Sequence, residues 1–482
     1  MSAIHAEYIT KLFLFDFDRK PENLPTPETL LCSLYRQLEL SSHQNENNVW
    51  DNSTKLDDII SDSNHKYSVE NLSSDHLRII TEKLIASNKS KEQEIKNKHH
   101  LYLKPIVPEI ASVSHSARIT GNPWNPGAMI LEEILNGCST REEYNALKDQ
   151  LKDALSISKN DDIWAKFLQH ELNSIVKHET FKNDSITNKI HKDTSLKFNK
   201  RGFAIPINKE LNKGLKIIIE HKDNFSRQRW INIIESYLRY YLFTCNFNKL
   251  QYCNNLVDQI IQNKTHEITL HTIYSQTTFS INDKRKNLIE GAIRKHLFSN
   301  IFLYNYLEQC AIDIDNIQEL TYQNMITTIQ EQSHKITVND ILKLTNKIIK
   351  NDHTEEMTQL NISTTKNMKE FFEYIGRKRE ITNYNNVQDI NYLFIKDSTR
   401  DYILKPGIGL TYSLVLIASK LNDDGMTTIS AADLSSYFKC IGLNISTNEI
   451  SDGYIGNQLN LLGLFIETPD SEGGIQIKKP LA

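Results

Sequence analysis

The chain has 482 residues, 56 of them basic and 60 acidic, for a formal net charge of −4. The length allows two to four domains, and the charge balance excludes a global drive toward nucleic acid, so any polyanion contact must come from a local patch. Hydrophobic residues make up 39%. No apolar run is long enough to span a bilayer, and the N-terminus lacks a basic stretch followed by an apolar one, which predicts a soluble cytoplasmic protein without a membrane partner.

In chain order, residues 12–18 (Leu-Phe-Leu-Phe-Asp-Phe-Asp) read as a buried strand. Thr26-Pro27-Glu28 opens a helix with proline in its first turn, and Leu30, Leu31, Leu34, Tyr35 and Leu38 give it one apolar face. A polar loop and a helix over about 69–87 follow, then a strand at Leu101–Val107. Gly121-Asn122-Pro123-Trp124-Asn125-Pro126-Gly127 is the densest set of backbone breakers and predicts a shaped loop. Helices are expected at 128–136 and at 140–156, the second capped by Ser139 with Glu142. Asp161 or Asp162 caps another, carrying Trp164, Phe167, Leu168, Leu172 and Ile175 on one face.

Phe203–Ile207 suggests a short strand. Beyond it the spacing is helical through Trp230–Leu242, Leu288–Leu307 and Val338–Ile348, whereas the alternation in His266–Ile281 predicts a hairpin. In the tail, an apolar helix runs over Leu410–Leu421. A second follows Ser430 with Asp433 three residues on, and a third follows Ser446 with Glu449 and ends at Gly463. Two short alternating runs, Leu464–Thr468 and Ile475–Lys478, form a hairpin. The expected fold is mainly α with a few short strands (α+β) and a winged-helix-like C-terminal domain. The expected divisions are an α+β region (1–115), a helical region with the Gly/Pro-rich loop (116–200), a helical body (201–400) and the tail (401–482).

The chemistry-bearing residues are few. Asp16 and Asp18 end a predicted strand, as Mg²⁺-binding carboxylates do in haloacid-dehalogenase-type phosphatases, but Arg19, Lys20 and Pro21 replace the residues that family places next. The ordinary reading is a polar strand exit; the alternative is a Mg²⁺-dependent phosphatase or nuclease. His170-Glu171 and His178-Glu179 place their histidines eight apart on one helix, too far to share an ion side by side. Cys245 and Cys253, the nearest pair of six cysteines, make no C-x-x-C motif and read as small core residues. Walker, dinucleotide-binding and nucleophile-elbow motifs are absent, so no catalytic residue, metal or cofactor is assigned.

Two basic clusters remain: Arg227 and Arg229 at a helix start, and Arg377, Lys378 and Arg379 after an apolar helix. Arginine forks match phosphates, but cations at helix ends also complement the dipole. On the tail the third helix opens with Glu449 and Asp452, and only Lys478 and Lys479 on the wing are positive. Those charges suit protein contact better than base reading.

The tail, from Phe438-Lys439-Cys440-Ile441-Gly442-Leu443-Asn444-Ile445 through Leu459–Leu464 to Phe465-Ile466-Glu467-Thr468-Pro469-Asp470-Ser471-Glu472-Gly473-Gly474-Ile475-Gln476-Ile477, resembles the ends of DptG-like accessory subunits of DNA phosphorothioation-dependent restriction. The likeness covers the tail alone. It implies a non-catalytic scaffold subunit of a bacterial anti-phage complex, working beside a P-loop ATPase and a nuclease. A stand-alone winged-helix transcription regulator is the other binding-class alternative.

Overall fold

The computed structural model describes residues 27–40, 104–113, 126–178, 205–273, 279–281, 288–310, 322–351, 368–378, 389–396, 402–422, 425–466 and 475–481. The predicted strand at 12–18, Asp16 and Asp18 within it, and the predicted helix at 69–87 lie outside them. The fold is mainly helical with a few short strands. No helix among the described residues is long and apolar enough to cross a membrane.

Helix α1 (Pro27–Gln37) begins at the expected proline. A single turn, α2 (Ile110–Val113), precedes α3 (Pro126–Asn136) and α4 (Arg141–Leu155). Residues 104–107, expected as the end of a strand, are irregular and lead through a turn at 108–109 into α2, in keeping with Pro105, which cannot donate to a ladder. Helix α3 lies directly on α1. A Cβ on Gly127 would fall 2.5 Å from the backbone nitrogen of Leu34, and the Gly127 N–H donates to Ser33 Oγ at 3.0 Å. The α4 cap is displaced by one residue from expectation. Thr140, not Ser139, accepts from the Glu143 N–H, and the Glu143 carboxylate reaches back to the Ser139 N–H at 2.9 Å.

Helix α5 (Ile163–His178) is capped by Asp162, which accepts from the Ala165 N–H. Helix α6 (Pro206–Glu220) corrects the expected strand at Phe203–Ile207: Ile205 is extended, and Pro206 starts a helix because its fixed φ suits the first turn. The centre of the molecule is α7 (Arg227–Ile261), 35 residues and about 52 Å long. It is buried along most of its length and packs on α6, on α9 (Leu288–Gln309) and on the first tail helix. The expected hairpin at His266–Ile281 is instead a short helix, α8 (Leu270–Ile273), and a strand, β1 (Phe279–Ser280). Ile268 and Phe279 are apolar because each docks separately against the core, not because they share a ladder. Helices α10 (Tyr322–Gln332), α11 (Val338–Asn351) and α12 (368–376) complete the body. After them the hairpin β2 (Phe394–Lys396) and β3 (Tyr402–Leu404) forms.

The tail begins with α13 (Ile408–Leu421), buried on nearly every side and laid along α7, where Ser413 Oγ meets Ser236 Oγ at 2.8 Å. Strand β4 (Thr428–Ser430) leads into α14 (Ala431–Cys440), capped by Ser430 as expected. Strand β5 (Leu443–Asn444) runs parallel to β1, and Phe279 of β1 packs at a tilt against Phe243 and Phe247 of α7. The expected third helix is two: α15 (Thr447–Ser451) and α16 (Tyr454–Leu461), broken at Asp452-Gly453. Ser446 caps α15, while the Glu449 carboxylate goes forward to accept the Tyr454 N–H at the start of α16. Strands β6 (Phe465–Ile466) and β7 (Gln476–Lys478) join β4 in an antiparallel sheet of order β4-β7-β6. Leu414, Ile417, Leu434, Phe438 and Leu459 are buried together, with Leu462 half-buried against them. One continuous set of buried apolar side chains runs from Leu30 to Ile477.

Candidate functional site

The predicted cations go to three different fates. Arg227 is 1% exposed. Its guanidinium donates to the carbonyls of Ile106, Ala154, Leu155 and Ser156, closing the C-terminus of α4, where free carbonyls need donors. As a phosphate ligand it is therefore corrected: its donors are spent inside the protein. Lys479 is likewise buried, its ammonium donating to the Asn422 carbonyl at 2.7 Å, the end of α13. Arg229 and Lys478 are exposed. Arg229 lies over the rings of Phe225 and Tyr412, at 5.4 and 5.0 Å, a cation–π arrangement that holds a side chain on the surface.

The third group is assembled by tertiary structure. Arg239, buried on α7, donates to the carbonyls of Ile375 and Arg377 and to the Asp389 carboxylate at 3.1 Å. One guanidinium thus fixes both the end of α12 and the strand that returns beside it. Arg377 forms an isolated bridge with Phe394, the Lys378 N–H donates to the Phe394 carbonyl and the Lys405 N–H to the Leu393 carbonyl. Lys378 and Lys405 consequently flank one central strand. Their ammonium groups sit over neighbouring rings, Lys378 over Tyr392 at 5.2 Å and Lys405 over Tyr454 at 5.6 Å. The Tyr454 N–H donates to the Glu449 carboxylate. Tyr454 Oη also donates to the Pro406 carbonyl and accepts from Gln458 Nε2. This seam joins α16 to the body.

Of the sequence candidates, Arg377 and Lys378 lie in the seam; Arg379 lies outside the described residues. Lys405, Tyr392 and Tyr454 were missed, since no motif links positions brought together only by packing. His170 is exposed, and among the described residues no group of three or more His, Cys, Asp or Glu could hold a metal ion. Burial pushes the thiols of Cys138 and Cys310 up to about 11 and that of Cys253 to about 12. At neutral pH they are protonated and act as small apolar groups.

The remaining buried charges are internal ties. Lys249 meets Glu133 at 2.6 Å, both under 5% exposed, and Glu133 also accepts from Asn208. Lys222 meets Asp161 at 3.0 Å.

The fold and seam define a mainly helical protein with a cation-bearing surface between its body and its tail. The chain matches no family model and no curated protein.

Proposed function

We propose that this chain is a non-catalytic adaptor that holds a partner protein through the exposed face of α15 and α16. One observation carries this reading. Residues 446–463 contain no Lys or Arg, and their outward surface consists of Ser446, Thr447, Asn448, Asp452, Asn457, Asn460, Leu461 and Gly463, with Leu461 79% exposed. A base-reading helix is set in register by cationic contacts to phosphates. An exposed leucine among amides suits a protein interface, where apolar centres have polar rims.

The order α13-β4-α14-β5-α15-α16-β6-β7 with sheet order β4-β7-β6 supports a winged-helix-like tail. The resemblance to DptG-like subunits supplies the setting: a bacterial anti-phage DNA-restriction complex containing a P-loop ATPase and a nuclease. The test is co-purification of the full chain with the products of its neighbouring genes. Leu461→Asp should abolish retention of the partner while leaving DNA affinity unchanged. Partner retained and DNA binding lost would reverse the assignment, and phosphate-ester turnover removed by Asp16→Asn would overturn the non-catalytic reading.

A further inference from the structure

We propose that the seam between α16 and the Arg239-held strands is a nucleic-acid backbone surface, with Lys378 and Lys405 as its phosphate-contacting cations. This surface is separate from the α15–α16 face and does not depend on the adaptor reading. Lys378 and Lys405 each donate an N–H to the same central strand, at Phe394 and Leu393, from opposite sides. Two strand spacings separate their backbones by roughly 10 Å. That length corresponds to about three axial rises of a duplex strand, at roughly 3.4 Å each.

A lysine on a flexible stem loses rotamer freedom when it binds a phosphate, and a side chain already held loses less. Tyr392 and Tyr454 provide that hold by lying under the two ammonium groups. The Tyr454 ring is fixed in turn through Pro406 and Gln458, and the Tyr392 ring by burial. Arg239 anchors the backbone on which Arg377 and Lys378 stand.

The nearby carboxylates are committed elsewhere. Asp389 turns inward onto Arg239. Glu373 accepts from the Tyr402 hydroxyl and faces Arg377 at 3.9 Å. Glu449 accepts the Tyr454 N–H. Burial pushes the Tyr392 and Tyr454 phenols above the ordinary tyrosine range, so neither adds negative charge. Lys378 is exposed and Lys405 half-buried. Asp389 and Glu373 are thus paired with arginines, while Lys378 and Lys405 carry no carboxylate partner of their own among the described residues, the situation in which a patch rather than the whole of a chain of net charge −4 meets a polyanion. Because lysine contacts a phosphate as a point charge, the surface holds backbone without reading sequence.

The test is fluorescence anisotropy of a labelled 20-base-pair duplex with the full chain, titrated at salt from 50 to 200 mM. The double variant Lys378→Ala/Lys405→Ala should lower the log–log salt slope by about 1.8, from two contacts at about 0.9 each. At the low-salt end its affinity should fall at least tenfold. Lys378→Arg/Lys405→Arg should keep the slope, and Arg229→Ala, which removes an exposed cation elsewhere, should change it little. An unchanged slope in the Ala/Ala variant overturns the proposal. So does an equal loss in Arg229→Ala, or binding of poly-glutamate in place of the duplex. Leu461→Asp should bind the duplex normally, so a failed partner interaction and a failed backbone surface are read separately.

Discussion

Lys249→Met puts the buried ion pair to the test. Lys249 and Glu133 are 2% and 4% exposed at the side chain and 2.6 Å apart. Burial acts to pull the Lys249 ammonium down, but the Glu133 carboxylate outweighs it and the value is raised. Methionine matches the stem and removes the charge, leaving Glu133 in a dry interior with only the Asn208 amide to meet it. An uncompensated charge of this kind costs about 3–5 kcal/mol, whereas replacing both partners by apolar groups of similar volume is often neutral. Urea denaturation should therefore show Lys249→Met destabilised by ~3–5 kcal/mol, and Lys249→Met/Glu133→Leu less destabilised than either single variant. The raised lysine also fixes the sign with pH. Its contribution is complete below the unfolded value near 10.5 and is lost as pH rises through the higher folded value. Additive single-variant costs in the double variant would refute the coupling.

Other expectations follow from the same packing. Leu459→Ala, at a fully buried position of the tail, should cost ~2–5 kcal/mol by urea denaturation; a cost near zero would dissolve the tail core described above. Gly127→Ala should separate α3 from α1, since its Cβ meets backbone at 2.5 Å, and lower stability by ~1–3 kcal/mol or more; an unchanged Tm would mean the two helices are not in that contact. Burial pulls His296 down to about 3, against the opposing pull of the Leu250 backbone carbonyl, which favours the protonated ring. Its unfolded form binds a proton that the folded form refuses between about 6.5 and 3, so stability falls with acidification through that window, by up to roughly 1.4 kcal/mol per pH unit. His296→Leu should flatten that slope in a pH series of denaturation curves; an unaltered slope assigns the acid sensitivity to other groups.

What the chain determined on its own is local. Pro27, Ser430, Ser446 and Gly463 mark helix ends through hydrogen bonds and φ values that involve only chain neighbours. The periodicity of Trp230–Leu242 announces α7 for the same reason. The Ser139-for-Thr140 displacement arose because adjacent hydroxyls each have an acid three residues on, and only packing of α4 chooses between them. Strand β4 went unread because three residues carry too little alternation, and its partner β7 lies far along the chain.

Tertiary structure decided the rest. Asn246, Asn248 and Lys249 look like a solvated face, yet they are buried. The two amides return to carbonyls of their own helix, and Lys249 finds Glu133, whose distance along the chain no pattern encodes. Likewise Arg227 and Arg229 stand two residues apart and are indistinguishable by composition. A rotation of about 200° along the helix sends one into the core to close α4 and leaves the other on the surface. Lys378 and Lys405 meet only because Arg239 and the strand at Leu393–Phe394 bring their segments together. Helix periodicity can state which face is apolar; which polar group is satisfied inside depends on a donor or acceptor delivered by a distant segment.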